Sequence, residues 1–380
     1  MINTNSKALG IIFPNIYDEM LPEMTNVRLM GSIPFAARYR MIDFVLSSMA
    51  NSGIDNISIM ANRNYHSLID HLGSGREWDL VRKTGGLHMF PPYSTGTSKT
   101  YVARVGILAG ILNFLRKQTE DYVILSDTNI AYNMDFSKML EAHIASGADV
   151  TCAYVEQEFP ENLRKNLDNL TSLYYTYKIE GGRITKILIN ERSEGIQNFS
   201  MNVNIIGREL LIDEINTAFV RGQEYFERDV LAPQLAKLNV QAYKYDGYIA
   251  RITDRKSYFD ESMKLLDDHN LDGLFAENPI YTKVRDDNPT RYIAGCKAEN
   301  IMAADGCEIE GEVENSILFR GVKIGKGAKV KNCILMQDTI VAPGAEIEYV
   351  ITDKEVVISD GKELKGTDSF PVYIAKRQTV

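Results

Sequence analysis

The stretch Ser32–Ile54, SIPFAARYRMIDFVLSSMANSGI, predicts the fold of the amino-terminal part of the chain. One buried helix face is indicated by residues at i, i+3, i+4, i+7 and i+8, which are Met41, Phe44, Val45, Ser48 and Met49. Asn51-Ser52-Gly53 then supplies a helix stop. Short apolar runs lie on both sides, at Lys7–Phe13 and at Asn56–Met60. A strand, a long loop, a helix and a second strand in this order predict a parallel α/β domain.

A different periodicity is found in the last part of the chain. Two columns of side chains recur every six residues, namely Ser316, Val322, Ala328, Ile334 and Ile340, and Leu318, Ile324, Val330, Met336 and Ala342. Glycines fall between them at the expected corners, Gly321, Gly325, Gly327 and Gly344. A hexapeptide repeat of this kind predicts a left-handed parallel β-helix, whose coils bury their apolar positions against neighbouring coils.

These two patterns predict two domains in a chain of 380 residues. We expect an α/β domain over residues 1–270, an irregular linker over residues 271–294, and the β-helix over residues 295–380. Near the end of the first domain, Tyr225–Leu238 is predicted to form a helix and Val240–Tyr248 a strand.

The composition excludes several classes of function. A net charge of −9 argues against a nucleic acid or an anionic membrane as partner, because both require basic surface. Apolar stretches such as Val105–Leu115 are too short to span a bilayer, and the amino terminus lacks a signal pattern. We therefore expect a soluble cytoplasmic protein. The four cysteines are widely spaced among apolar neighbours, which favours buried thiols over disulfides or a metal site.

The run after Arg28 resembles the sugar-phosphate nucleotidylyltransferases, and most closely the ADP-glucose pyrophosphorylase (glucose-1-phosphate adenylyltransferase) family. In that family a glycine-rich AGGxGxRL loop precedes a segment of the type RAKPAVxFGGKYRxIDFxLSN. The second segment is preserved in Arg28, Phe35, Arg38, Arg40, Ile42, Asp43, Phe44, Leu46 and Ser47. The resemblance extends over nearly the whole chain and implies a Rossmann-like nucleotidyltransferase domain of the GT-A type followed by the β-helix.

The positions that carry catalysis in that family are altered here. The glycine loop aligns with Pro14–Leu21, which has no glycine, and its arginine aligns with Met20. The family's Lys-Pro aligns with Met30-Gly31. The two aspartates that hold the magnesium ion in the family align with Asn129 and Arg251. A glycine loop presents backbone N–H groups to phosphate, and carboxylates bind Mg²⁺, so both functions are expected to be impaired.

Some substrate-binding positions are retained in part. Ser200 lies in SMNVNII, which resembles the family's SMGIYVF strand with Asn202 in place of glycine. Glu191-Arg192 resembles the pair that grips the sugar phosphate if two residues are inserted, and a solvated loop explains it equally well. Tyr93–Ser98 stands where the family has a base-selecting segment, and only Gly96 and Thr97 match.

The resemblance therefore implies a regulatory, catalytically impaired subunit of the GlgD type, with no cofactor of its own. Mg²⁺ is expected in a catalytic partner subunit, and a heterotetramer is the expected assembly, with a homo-oligomer as the alternative for the chain alone. A competing hypothesis is an active nucleotidylyltransferase whose metal ligands are displaced to Asp127 and Asp254. A hexapeptide-repeat acyltransferase is less well supported, because no histidine follows His269.

A regulatory ligand is the last implication of the resemblance. The family binds its effector near the junction of the two domains, where basic side chains meet a phosphate. Arg28, Arg38 and Arg40 are retained beside the altered loop, which suggests a sugar-phosphate or nucleotide effector site. The alternative is that these arginines pair with carboxylates such as Asp43.

Overall fold

The amino-terminal domain is built on a mixed β-sheet. The computed structural model describes residues 8–61, 63–91, 103–160, 163 and 173–380. Tyr93–Ser98, the segment aligned with base selection, lies outside them. The strands of this domain are β1 (Ala8–Phe13), β2 (Pro34–Phe35), β3 (Tyr39–Arg40), β4 (Asn56–Met60), β5 (Gly86–Phe90), β6 (Tyr122–Asp127), β7 (Ile130–Tyr132), β8 (Val150–Glu158), β9 (Tyr175–Glu180), β10 (Arg183–Ile189), β11 (Ile196–Gly207), β12 (Val240–Lys244) and β13 (Ile249–Arg251).

Nine of these strands form one sheet in the order β5-β4-β1-β6-β11-β8-β12-β10-β9. β5, β4, β1 and β6 run parallel, whereas β11 is antiparallel to both β6 and β8. The helices are α1 (Pro22–Thr25), α2 (Met41–Asn51), α3 (His66–Leu72), α4 (Arg104–Gly110), α5 (Leu112–Leu115), α6 (Phe136–Ser146), α7 (Arg208–Val220), α8 (Arg255–Lys264) and α9 (Asp268–Phe275).

Both faces of the central strands are covered, as the continuous apolar run of β1 requires. Ile12 packs in the same cluster as α2, whereas Leu9 and Ile11 pack with α4 and α7 on the opposite face. The helix expected from the opening stretch forms as α2 over Met41–Asn51. It ends before Gly53, which has a positive φ of 73° that glycine adopts without strain.

The prediction of one continuous helix over Tyr225–Leu238 is wrong. Phe226–Leu231 forms a π-helical turn and Ala232–Gln234 a short 3₁₀ turn. Pro233 lacks the N–H that a continuous α-helix would need at this point. The strand expected over Val240–Tyr248 is shorter, since β12 ends at Lys244.

The carboxyl-terminal part is a parallel β-helix, as its six-residue repeat predicts. Its strands are β14 (Arg291–Tyr292), β15 (Lys297–Ala303), β16 (Glu308–Ile309), β17 (Glu312–Leu318), β18 (Lys323–Ile324), β19 (Lys329–Lys331), β20 (Ile334–Leu335), β21 (Ile340–Val341), β22 (Glu346–Glu348), β23 (Val350–Thr352), β24 (Val357–Ile358), β25 (Glu363–Lys365) and β26 (Val372–Ile374). All named pairings among these strands are parallel. The segment proposed as a linker contains the end of α9 and all of β14.

Two repeat positions, Ile340 and Ala342, differ from the expected columns, and Ala342 is only partly buried. Ser316, Val322, Ala328 and Ile334 are fully buried, but Ile340 is 41% exposed. Ile324 pairs with Val341, and Val341 is buried in its place. The coil therefore advances 17 residues between Ile324 and Val341, instead of the 18 that three regular hexapeptides would give.

The β-helix packs on the α/β domain through an apolar side. Ile317, Ile334 and Ile351 stack 17 residues apart on successive coils and belong to the same buried cluster as α2 and α8. Phe259 of α8 contacts Tyr349, with ring centroids 6.1 Å apart. Among the helices that the structure describes, none is long and apolar enough to cross a membrane.

Candidate functional site

The candidate site lies at the carboxyl ends of β1 and β6. These strands run parallel with Phe13 opposite Asp127, so the loops that follow them leave the sheet side by side. This edge of a parallel sheet is where α/β proteins bind ligands. The loop Pro14–Leu21 and the segment Thr128-Asn129 are brought together there, and Pro14 and Thr128 both lie close to Gly31. Gly31 joins them, since its N–H donates to the carbonyl of Pro14 at 2.9 Å.

The loop after β1 is folded into tight turns and does not present a phosphate cradle. The backbone N–H groups of Asp18, Met20 and Leu21 donate to Asn15, Tyr17 and Asp18 of the same loop. The Asp18 carboxylate accepts the N–H of Met30 at 2.7 Å, and burial raises the pKa of Asp18 to about 7. Met20 is partly buried and Met30 is buried. Three of the donors that such a loop could offer a triphosphate are thus used inside the chain.

Tyr17 from this loop is buried between the sheet edge and β11. Its ring centroid lies 5.4 Å from that of Tyr174, and its hydroxyl donates to the carbonyl of Leu173. The amide of Asn202 donates to the Tyr17 hydroxyl at 2.7 Å. Asn202 has a φ of 56°, a conformation that asparagine tolerates better than most residues and that the aligned glycine adopts freely. Tyr17, in the loop aligned with the glycine loop, and Asn202, at a position where the family has glycine, therefore hold each other in place.

Asp127 is engaged in a buried charge cluster. Its side chain accepts a hydrogen bond from Arg104, and the same guanidinium contacts Glu227. Asn204 donates to Glu227 at 3.1 Å. Burial raises the pKa of Asp127 to about 7, although the Arg104 charge opposes this shift. A metal ion bound by Asp127 would compete with a guanidinium for the carboxylate, which weighs against Asp127 as a displaced ligand.

Asp254 is a helix cap. Its side chain accepts the N–H of Ser257 at 2.7 Å at the start of α8, and the Ser257 hydroxyl accepts the N–H of Asp254 in return. Such a reciprocal pair satisfies backbone donors that the helix itself leaves open. The structure thus accounts for Asp254 without a metal.

Arg251 lies at the end of β13 and is only 6% exposed. Its Nη2 donates to the carbonyl of Ser200 at 2.9 Å, and its guanidinium lies 4.2 Å from the ring centroid of Phe199. Burial lowers the pKa of Arg251 to about 10, so the side chain is charged at neutral pH. Asn129 is adjacent, because its carbonyl accepts the N–H of Ile252 at 2.8 Å. We call Tyr17, Asn129, Tyr174, Ser200 and Arg251 the degenerate site.

This set of side chains does not fit Mg²⁺. The ion requires oxygen ligands, usually with at least one carboxylate, whereas an amide and a guanidinium stand at the two aligned positions. Within residues 8–61, 63–91, 103–160 and 173–380, no group of three or more histidine, cysteine, aspartate or glutamate side chains is arranged to hold a metal ion.

The residues aligned with sugar-phosphate binding are not brought together in one environment. The Ser200 hydroxyl is buried and accepts hydrogen bonds from the Tyr177 hydroxyl at 2.8 Å and the N–H of Asn202 at 3.0 Å. Glu191 and Arg192 lie exposed on the loop after β10. Ser200 thus contacts the degenerate site through its carbonyl, which Arg251 binds, whereas the Glu191-Arg192 pair lies at the surface.

The three retained arginines have different surroundings. Arg28 is buried and its Nη2 donates to both oxygens of Asp353, at 2.7 and 2.9 Å, across the domain junction. Arg38 is exposed and lies 4.0 Å from Asp305. Arg40 donates to the carbonyl and the hydroxyl of Ser67, at 2.6 and 2.9 Å. Arg28 therefore joins the two domains through an ion pair.

The expected alternative is that these arginines pair with carboxylates such as Asp43. Arg28 and Arg38 do have carboxylate partners, Asp353 and Asp305, whereas the Arg40 guanidinium donates to Ser67 and not to Asp43. Asp43 instead lies 2.6 Å from Nε2 of His71 and accepts the backbone N–H of Arg40. The carboxylate is thereby used in fixing the start of α2, because its other oxygen caps that helix.

Two further basic residues at the junction were not predicted from the sequence. Burial, together with the charges of Arg40 and Arg28, lowers the pKa of Lys354 to about 7. Burial and the charge of Arg38 lower the pKa of Arg320. No local motif marks either residue, since they come from β-helix coils that are distant from α2 in sequence. We call Arg28, Arg38, Arg40, Arg320 and Lys354 the junction cluster.

Comparison with known families agrees with this architecture. Residues 21–163 match the nucleotidyl transferase family, and residues 284–369 match the GlmU-like C-terminal hexapeptide family. The chain is 33% identical over 327 residues to the glycogen biosynthesis protein GlgD of Bacillus subtilis, which covers 86% of this chain and 83% of that protein. The GlgD protein of Geobacillus stearothermophilus is 36% identical over 330 residues, with 86% and 83% covered.

An enzyme is also among the relatives. The glucose-1-phosphate adenylyltransferase of Geobacillus stearothermophilus is 31% identical over 327 residues, which cover 85% of this chain and 83% of that protein. These similarities extend over most of each protein and include both domains. The chain therefore belongs to the family that comprises the GlgD glycogen biosynthesis proteins and the glucose-1-phosphate adenylyltransferases.

Proposed function

We propose that this protein is a regulatory, catalytically impaired subunit of glucose-1-phosphate adenylyltransferase that acts in glycogen biosynthesis. The enzyme of that name joins ATP and glucose 1-phosphate into ADP-glucose and pyrophosphate. The observation that carries the proposal is Arg251, a buried cation at a position where the reaction requires a metal-binding carboxylate. The folded loop around Tyr17 and the amide of Asn129 support it independently.

The loss of catalysis follows from electrostatics. In phosphoryl and nucleotidyl transfer, the metal ion and the backbone donors stabilise charge that develops on the phosphates, and little other chemistry is required of the protein. Here the donors of Asp18, Met20 and Leu21 are used within the loop, and the metal positions carry no negative charge. Mg²⁺ would be held by the catalytic partner in the proposed hetero-oligomer.

The decisive experiment compares the isolated chain with the chain mixed with a catalytic homologue. The isolated chain is expected to release little or no pyrophosphate from ATP and glucose 1-phosphate with Mg²⁺ present, because removal of metal stabilisation costs several kcal/mol in the transition state. Substantial turnover by the isolated chain, abolished by Asp127→Ala, would instead support the alternative of an active enzyme with displaced ligands.

The mixture tests the regulatory role. We expect a hetero-oligomer in gel filtration whose substrate saturation differs from that of the catalytic subunit alone. A coupling free energy of about 1–3 kcal/mol is sufficient for this change and requires an interface without chemistry. Two independent species with unchanged saturation would contradict the proposal.

The junction cluster is the proposed effector site for a sugar phosphate or nucleotide. Arg40 lies at the start of α2 and Lys354 on the β-helix, so a phosphate held between them would bias how the two domains pack. Arg38→Ala and Arg40→Ala are expected to weaken the effector response of the intact hetero-oligomer. An unchanged response in an assembled complex would leave both arginines a structural role.

A further inference from the structure

Arg251 carries a buried positive charge that the protein compensates only in part. Its Nε and Nη1 have no hydrogen-bond partner, and its remaining nitrogen donates to a carbonyl and not to a carboxylate. The Phe199 ring gives a cation–π contact at 4.2 Å. A buried and unpaired charge is costly, and a cation–π contact offsets only about 2 kcal/mol of that cost.

The surroundings of this guanidinium supply further unused hydrogen-bonding atoms. Both atoms of the Asn129 amide and the Tyr174 hydroxyl are buried without a partner. Asn129 precedes Ile130, which pairs with Arg251 in the β7–β13 ladder. Tyr174 lies 6.1 Å from the Phe199 ring that Arg251 covers. Unused N–H and O–H groups are therefore concentrated around one cation.

This arrangement favours an anion over a metal ion. A guanidinium, a phenol and a primary amide all offer donors, and the guanidinium fork matches the geometry of phosphate oxygens. A divalent cation at the same place would be repelled by the Arg251 charge. The nearest carboxylate of the aligned catalytic segment, Asp127, shares one oxygen with Arg104, and its Oδ1 is buried without a hydrogen-bond partner.

We propose that Arg251 takes over the electrostatic role of the metal, so that the degenerate site binds a phosphate group directly on the guanidinium and without a divalent cation. The ligand is free phosphate or a phosphate monoester. Asn129 and Tyr174 donate to the same anion, and Ser200 holds the guanidinium through its carbonyl. This inference concerns binding and not turnover, so it does not depend on the regulatory role proposed above.

The test is calorimetric titration of the full chain in EDTA, first with inorganic phosphate and then with glucose 1-phosphate. We expect saturable binding that added Mg²⁺ does not strengthen. Tighter binding of glucose 1-phosphate would identify a phosphate monoester as the ligand, and equal binding would identify phosphate itself. Arg251→Gln should weaken the binding at least about tenfold, because it removes a charge-assisted interaction. Arg251→Lys keeps the charge but lacks the forked guanidinium. Its affinity for the phosphate should therefore lie between those of the wild type and Arg251→Gln.

The matched control is Arg38→Gln/Lys354→Gln, which alters the junction cluster and leaves the degenerate site intact. Because the junction cluster is itself a proposed phosphate site, any binding there should be lost in this variant, and one metal-independent site that Arg251→Gln weakens should remain. Complete loss of metal-independent binding in Arg38→Gln/Lys354→Gln would place the phosphate at the junction and overturn the inference. This result can be obtained even if Arg251→Gln does not fold. Absence of saturable binding in EDTA would overturn it as well. Neither result affects the pyrophosphate assay of the proposed function.

Discussion

At the scale of single residues, the charge environment of a side chain decides its function more than its type does. Arg28, Arg40 and Arg251 are all buried or partly buried, yet their partners differ. Arg28 meets a carboxylate, Arg40 meets a serine, and Arg251 meets a carbonyl and an aromatic ring. Only the last keeps unused donors in a position aligned with catalysis, so the three cannot have the same role.

Lys354 gives a pH-dependent prediction at this scale. The pKa of its amine is lowered from 10.5 to about 7 by burial and by the charges of Arg40 and Arg28. The unfolded chain therefore binds one more proton than the folded chain between these two values, and stability should rise with pH across this window. Lys354 should add at most about 1.4 kcal/mol per pH unit to that slope. The contribution of this pKa shift to the free energy of unfolding is fully present above pH 10.5, where the amine is neutral. It is lost as the pH falls through 7, where the buried amine becomes charged.

The measurement is urea unfolding of the wild type and Lys354→Met between pH 7 and pH 9. The variant should be the more stable of the two at pH 7 and should show a flatter dependence on pH. Lys326→Met, which alters an exposed lysine of the β-helix, serves as the control and should follow the wild type. Parallel curves for wild type and Lys354→Met would show that the amine is not desolvated.

At the scale of elements, the segments around the altered catalytic positions are stabilised by hydrogen bonds and ion pairs within the chain. Three N–H groups of the loop after β1 donate within the loop, and α8 is capped by Asp254. The π-helical turn at Phe226–Leu231 places Glu227 against Arg104. π-Helical turns are rare and occur mostly where a function requires them. In this chain the turn serves a buried ion cluster instead of a free catalytic group.

Asp254 provides the test for this view of the elements. Asp254→Ala should lower the free energy of unfolding by about 0.5–2 kcal/mol, because the N–H of Ser257 loses its acceptor. Asp254→Asn retains an acceptor oxygen and should remain close to the wild type in stability. A loss of Mg²⁺-dependent turnover in Asp254→Asn, with unfolding unchanged, would identify Asp254 as a metal ligand and contradict the capping role.

At the scale of the whole molecule, an apolar surface and the buried Arg28–Asp353 ion pair join the two domains, with exposed pairs such as Lys256–Asp368 beside them. The β-helix presents Ile317, Ile334 and Ile351 to the main core. Asp353 then accepts hydrogen bonds from Arg28, from the hydroxyl of Tyr373 and from the N–H of Lys354. An effector at the junction would act beside this pair, so the same residues link domain packing to regulation.

Arg28→Met should therefore destabilise the protein strongly. Removal of one partner leaves the buried Asp353 carboxylate without its counter-charge, which typically costs about 3–5 kcal/mol. The double variant Arg28→Met/Asp353→Leu should recover much of this loss, since no buried charge remains unpaired. Thermal and urea unfolding measure both effects.

Arg38→Met is the control for that experiment. Arg38 is exposed, and its substitution should change the free energy of unfolding by no more than about 0.5 kcal/mol. If Arg28→Met were as mild as Arg38→Met, the ion pair would not hold the domains together.

Sequence periodicity alone determined the larger features of this protein. Three features could be predicted from the sequence: the buried face of α2, the strands beside it and the six-residue repeat. Each depends on a pattern of residues that are close in sequence. The altered positions Met20, Asn129 and Arg251 were also visible in the sequence, since they required only an alignment of short motifs. The six-residue columns lost register at Ile340 and Ala342, because successive coils here advance 17 residues and not 18.

The tertiary structure alone decided what the altered positions contact. The bonds of Tyr17 to Asn202, of Arg104 to Asp127 and Glu227, and of Arg28 to Asp353 join residues that are 185, 23, 123 and 325 positions apart. No local pattern predicts such pairs, because burial and the electrostatic cost of burial arise only when distant elements pack together. The same packing leaves Nε and Nη1 of Arg251 without hydrogen-bond partners. A sequence motif cannot predict which donors remain without partners.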